Sequence, residues 1–183
     1  RSVFSVRARP HGQAALLGIH RHEEPIQRAA ASHASPELAE KLVPLRRVRN
    51  WNVVLADWAQ AQIGQPFAWG ETDCGTLVRK GLELVFGQPV LEGVPAYSSE
   101  TEAALAMQEL GSAGAYFESL GLELVDAPRG RSSDIVVRPG RDDTIPRLGL
   151  LVSPTAVLTS DPVYGPHAIS HRELRKRARF YRL

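Results

Sequence analysis

Pro66-Phe67-Ala68-Trp69-Gly70-Glu71-Thr72-Asp73-Cys74-Gly75-Thr76-Leu77-Val78 is the stretch around which the rest of the chain is organised. Gly64 and Pro66 stop any helix arriving from upstream. Asp73 is a strong N-cap. Leu77, Val78, Leu82 and Val85 then recur on one side of a helix from Cys74 to about Phe86, with Gly87 just past its end. Cys74 therefore stands at the first helical position, where free N–H groups and the positive end of the helix dipole favour the thiolate over the thiol. A nucleophilic cysteine uses such a position. A small apolar side chain packed under a neighbouring helix uses it equally well, and the residues alone leave both readings open.

Upstream, Trp51, Val54, Leu55, Trp58 and Ile63 fall near helical spacing, which predicts an amphipathic helix that buries its tryptophans. Downstream, Ser99-Glu100-Thr101-Glu102 matches the Ser-x-x-Glu capping box and predicts a helix to about Leu110, with another helical turn or two over Ala113–Leu120. After Gly121 the character changes. Short β-prone runs at Leu122–Val125, Asp134–Val137, Leu148–Val152 and Ala156–Thr159 alternate with Gly, Pro and Asp clusters. A helical turn from His171 to Arg177 and a last strand Arg179–Leu183 close the pattern. Helices first and an antiparallel sheet afterwards predict an α+β class.

The first 50 residues differ. Val3–Val6 and Ala14–Ile19 flank the turn-prone Pro10-His11-Gly12, as in a hairpin or a pair of extended strands. A polar stretch from His20 to Ser35 follows. Ser35-Pro36-Glu37 opens a short helix to about Leu42, and Pro44–Arg49 forms a basic joint. We therefore expect residues 1–50 to be an N-terminal arm or hairpin extension and residues 51–183 to be the main domain. An extended arm buries little by itself and orders by adding strands to a partner or wrapping it; a local hairpin packed on its own domain is the competing reading.

Composition narrows the function classes. With 183 residues and 43% apolar residues the chain can build one core, and no run approaches the roughly 18 apolar residues that a membrane span needs. The charged N-terminal residues Arg1–Arg7 predict no secretory signal. One cysteine excludes an internal disulfide framework and a cysteine-based zinc site. His20-Arg21-His22-Glu23-Glu24 has metal-ligating residue types but no third ligand in a fixed element, so an exposed polar loop is expected. A net charge of +2 does not make nucleic acid the default partner, and the basic tail from Arg172 to Arg182 carries no nucleic-acid motif. The excess of Arg over Lys fits a G- and C-rich coding sequence. Glycine-rich phosphate loops are absent from the sequence, so neither a nucleotide nor another cofactor is expected.

The run Ile63–Gly70 followed by Asp73–Val78 resembles the nucleophile region of the NlpC-like cell-wall cysteine peptidases, in which a Pro-aromatic-x-Trp/Tyr-Gly loop precedes an Asp-Cys helix start. Over Trp51–Leu183 the chain is similar to a phage branch of that superfamily encoded beside tail-tip genes. The resemblance implies a papain-like fold, with the Cys helix packed on a small antiparallel sheet or partial barrel. It also implies that Ser133-Asp134-Ile135-Val136-Val137 is the Gly-Asp-hydrophobic strand, and that Leu148–Val152 is the strand that normally begins His-Val-Gly. Where active members carry the catalytic His, this chain has Arg147-Leu148. Arginine stays charged and cannot shuttle a proton.

The candidate catalytic residues are thus Cys74 as nucleophile with His167 or His171 as base. The resemblance, with its missing His, implies a structural component of a bacteriophage tail tip or baseplate on an inactive peptidase-like domain. Such a protein would be made in the host cytoplasm, reside in the virion and grip other tail proteins through residues 1–50, with no membrane insertion. The alternative is a virion-associated cysteine peptidase that hydrolyses peptidoglycan during DNA entry.

Overall fold

The computed structural model describes residues 45–140, 145–174 and 178–183, which belong to the unit Pro36–Leu183. The expected hairpin, the helix to Leu42 and the His20–Glu24 cluster lie outside the described residues, as does the end of the turn expected over His171–Arg177. The end of the basic joint is packed against the domain. The Val48 N–H donates to the Val85 carbonyl, and the Arg47 guanidinium lies 4.9 Å over the Trp51 ring and donates to Ser133 Oγ at 3.0 Å.

Helix α1 spans Trp51–Gln62. Leu55 and Ala59, one turn apart, are its buried residues, while both tryptophans are only half-buried. The expectation of buried tryptophans fails because both pack on the core from its margin. Helix α2, Cys74–Phe86, presents Gly81 where a Cβ would run into Leu150, Trp58 and Leu55. The glycine thus leaves room for the Leu150 side chain and for the edge of the Trp58 ring.

The ends of α2 follow the sequence reading. Asp73 accepts from the Gly75 and Thr76 N–H groups, and Gly87 closes the helix at φ 68, a left-handed conformation that glycine adopts without penalty. Helix α3 runs Glu100–Glu109 from a Ser99 cap, and α4 runs Ala113–Ser119 from a Ser112 cap. The capping box at α3 is displaced by one residue, because the Glu102 carboxylate takes the Ser98 N–H and hydroxyl, and these hydrogen bonds hold its pKa below the usual value.

Six strands follow: β1 Glu123–Val125, β2 Ile135–Arg138, β3 Arg147–Leu151, β4 Ala156–Asp161, β5 Gly165–Ser170 and β6 Arg179–Arg182. They form one sheet in the order β1-β6-β2-β3-β4-β5, antiparallel throughout. The protein is therefore α+β. The His167–Ile169 segment is a strand, and it extends to six residues paired with β4 at the sheet edge. The Pro166 carbonyl accepts from the Gly64 N–H, so this strand meets the loop that leads to the Cys helix.

Alternation along the strands gives the sheet two covered faces. On one, Ile135, Leu148, Leu150 and Tyr181 pack with Leu55, Val78, Leu82 and Val85 of the helices and with Tyr116 and Phe117. On the other, Val136, Leu151, Val157 and Phe180 pack with Leu174 of a short helix, α5, His171–Leu174. Asp134 is fully buried where β2 begins. Arg182 donates to both of its carboxylate oxygens, at 2.9 and 2.7 Å, and also to the Arg129 carbonyl. Ser133, before it, has φ 77, a conformation that favours glycine and stands where the resembled strand pattern has Gly.

Candidate functional site

Cys74 sits where β3 and β4 part. Their register pairs run from Leu151–Val157 to Gly149–Thr159. One residue further along β3, the Leu148 carbonyl accepts the Thr159 hydroxyl at 2.6 Å, and the Leu148 N–H points at Cys74 Sγ at 3.4 Å. A backbone donor released by the diverging strands thus meets the first residue of α2. Among the described residues, this is the sulfur's hydrogen bond.

The loop before Cys74 is fixed by Asp73, 2% exposed. Its carboxylate accepts from five donors: the N–H groups of Gly70 (2.7 Å), Gly75 (2.9 Å) and Thr76 (3.1 Å), and the hydroxyls of Thr76 (2.7 Å) and Tyr97 (2.8 Å). The Thr72 hydroxyl pins the same loop, donating to the Pro66 carbonyl and accepting from the Ala68 N–H. Phe67 and Trp69 stack edge to face at 5.0 Å, and Trp69 meets Tyr97. Burial, then the Asp73 charge, raises the Tyr97 phenol above its ordinary value, so Tyr97 serves as a standing donor.

The thiol does not follow from the helix end alone. Burial pushes Cys74 up to about 11, with the Asp73 charge adding to the rise and the Leu148 N–H opposing it. Desolvation outweighs the N–H groups of Leu148, Gly75 and Cys74 that favour the thiolate, and the Gly75 N–H is shared with the Asp73 carboxylate. Of the two readings that the sequence leaves open, this favours the packed side chain over the nucleophile.

Around the parted strands lies a charged cluster. Arg138 and Arg147 are register partners on β2 and β3. Arg147 Nη1 is 3.9 Å from Asp161 Oδ2, and His167 Nε2 is 4.0 Å from the same oxygen. Burial, and then Arg147, lowers the Arg138 pKa. Asp161 feels desolvation upwards, but the N–H groups of Tyr164 and Val163 and the charges of His167 and Arg147 outweigh it, and its carboxyl lies below the ordinary range.

The three candidates from sequence are placed differently. Cys74 is at the helix start, as expected. His167 is on β5, two strands from β3, with Nδ1 at 2.8 Å from the Gly165 carbonyl and Nε2 toward Asp161. It connects to the Cys74 neighbourhood through Asp161 and Arg147. His171 is 3% exposed, and its ring nitrogens face the Pro154 and Ala127 carbonyls at 3.3 and 3.0 Å. Its ring meets Phe180 edge-on at 5.2 Å, on the sheet face away from α1 and α2.

Sequence reasoning missed Asp161 and Tyr97. Asp161 reads locally as a turn residue before Pro162, and the turn is real, since its carboxylate accepts from the Val163 and Tyr164 N–H groups. Tyr97 lies in a Pro- and Gly-containing loop, and nothing near it announces a bond to Asp73. Among the described residues no group of three His, Cys, Asp or Glu side chains is placed to hold a metal ion.

Residues 46–182 match the family described as a domain of unknown function (DUF6950), and the chain belongs to that family. No curated protein matches the chain.

Proposed function

We propose that this DUF6950-family chain is a structural component of a bacteriophage tail tip or baseplate, built on a papain-like, NlpC-type domain that no longer runs the peptidase reaction. The observation that carries this reading is the neighbour of the Cys74 sulfur. Where the resemblance puts a proton-shuttling imidazole the chain has Arg147, 3.9 Å from Asp161 and next in sequence to the Leu148 whose N–H meets Cys74 Sγ. A thiol pushed up to about 11 supports the same reading, because a peptidase needs the thiolate near neutral pH. In this role Cys74 is a packing residue that ties α2 to β3, and residues 1–50 grip neighbouring tail proteins. The phage location rests on the resemblance of Trp51–Leu183 to the tail-tip branch.

One observation favours a second reading. The Asp161–His167 pair places an imidazole beside a carboxylate at the same end of the sheet, as a virion-associated hydrolase of peptidoglycan requires for its base.

The deciding experiment pairs particle assembly with peptidoglycan digestion. For a structural component, Cys74→Ala leaves assembly and infectivity intact, deletion of residues 1–50 prevents incorporation, and purified protein releases no peptides from peptidoglycan. Peptide release that disappears in both Cys74→Ala and His167→Ala overturns this in favour of the hydrolase.

A further inference from the structure

A cavity of about 150 Å³ lies beside the Cys74 corner, between the first turns of α2, the 91–97 loop, α3, α4 and Leu148. Its inner wall is apolar: Leu91, Ala106, Met107, Ala113 and Phe117. Protein interiors pack to crystal-like density with few voids larger than a water molecule, and an apolar cavity of about this size stays dry and admits a benzene-sized guest. Small side chains create the space. Ala106 and Ala113 are buried at 5% and 4% exposure on helices where a leucine or valine is allowed, yet neither position is filled.

The mouth has a charge. Among the lining residues Arg79 and Ala96 are exposed, so Arg79 stands at the rim, while the interior offers hydrocarbon, Thr76 with its hydroxyl held by Asp73, and the Tyr97 and Tyr116 rings. Both tyrosine hydroxyls are engaged, Tyr97 with Asp73 and Tyr116 with the Glu92 carbonyl. Neither of the nearby carboxylates lines the cavity: Asp73 is buried behind its five donors, and Glu92, whose charge acts on the Tyr116 phenol, is exposed. An apolar chamber with a cation at its lip is complementary to an amphiphilic anion.

We propose that this cavity binds a small carboxylate with a short alkyl or aryl tail, the tail in the chamber and the carboxylate at Arg79. Leu148 belongs both to the cavity wall and to the backbone that holds Cys74 Sγ, so a guest packs against the residue that positions the thiol. The assignment holds whether or not Cys74 reacts, and it is independent of the tail-tip reading.

The test uses the full chain with hexanoate and 1-hexanol as probes, followed by calorimetry and by saturation-transfer NMR. Hexanoate binds saturably and raises Tm, and 1-hexanol binds about tenfold more weakly, having lost one charge-assisted contact. Ala106→Leu fills the chamber, abolishes binding of both probes and leaves the fold intact by circular dichroism; Ala113→Val gives the same loss if Ala106→Leu fails to fold. Arg79→Gln brings hexanoate down to the affinity of 1-hexanol and leaves 1-hexanol unchanged. The proposal is overturned by the absence of saturable binding, by binding that survives in the folded filled variant, or by equal affinity for the two probes that Arg79→Gln does not alter.

Discussion

Two carboxylates, Asp73 just before Cys74 and Asp161 at the end of β4, are built on opposite plans. Asp73 is buried, has five hydrogen-bond donors within 3.1 Å and faces no cation among the described residues. Asp161 is turned toward a guanidinium and an imidazole, Arg147 at 3.9 Å and His167 at 4.0 Å, both partly open to solvent. The first is a short, saturated network that leaves nothing free for a substrate. The second is loose, and loose charges at a sheet end cost little to rearrange. The contrast is between a carboxylate saturated by backbone and hydroxyl donors and one held by screened charges.

The largest effect belongs to Asp73. Asp73→Ala removes the helix cap and strands the Gly70 N–H and the Thr76 and Tyr97 hydroxyls, and is expected to cost about 4 kcal/mol in urea unfolding. A loss under about 1 kcal/mol breaks the comparison, because the network would then be decorative.

Asp134 is the intermediate case, buried like Asp73 but paired with a cation. Asp134→Ala leaves Arg182 without its bidentate partner where β2 and β6 meet, and is expected to cost about 3 kcal/mol, since breaking a buried pair from one side exposes the other charge to an uncompensated site. Replacing both, Asp134→Leu with Arg182→Met, should recover part of that loss in the same assay. A double variant no better than the single would show that the Arg131 N–H and the Arg129 carbonyl, not the ion pair, set the cost.

The difference between these regions also decides what could be read in the sequence. Asp73, Ser99 and Gly87 act on their own helices, within a few residues, so caps and ends follow from local pattern. The strands at Ile135, Arg147, Ala156 and Arg179 follow from short β-prone runs between turn residues. What stayed hidden is non-local. Leu148 reaches Cys74 across 74 positions and Arg182 reaches Asp134 across 48, and no local pattern records either. The thiol's environment is hidden for the same reason: the helix dipole is local and visible, whereas the desolvation that opposes it comes from the assembled fold. Gly165–Ser170 was underread because Pro166 interrupts the β pattern, and an edge strand tolerates proline on its unpaired side.

Cys74 gives a third way to sharpen the contrast. A rise from 9.0 to about 11 leaves about one-hundredth of the ordinary thiolate at pH 8, so alkylation by iodoacetamide should be about a hundredfold slower than for the urea-unfolded chain at the same pH. Because the folded value is raised, the stability tied to this thiol is full below the ordinary 9.0 and is lost as pH rises from there through about 11. Cys74→Ala should remove that alkaline decline. Fast alkylation of the folded protein at pH 8 would mean that the sulfur is solvated and that the helix end sets its chemistry after all.

The smallest effect is expected at Asp161. Its carboxyl is held below its ordinary 3.8, so its contribution is present above that value and is lost as pH falls through the lower folded value. Asp161→Asn keeps the turn's acceptor for the Val163 and Tyr164 N–H groups and removes only the charge, so the loss at pH 7 should be under about 1 kcal/mol and should shrink in acid and in high salt. Thermal unfolding of wild type and variant at pH 7 and pH 3 measures both points. A loss at Asp161 as large as that at Asp73, unchanged by salt, would make the Arg147–Asp161–His167 cluster a brace of the fold and erase the contrast. A small, salt-sensitive loss keeps the two carboxylates in their separate roles, one bracing the loop and helix start that carry Cys74 and the other a solvent-screened partner of Arg147 and His167.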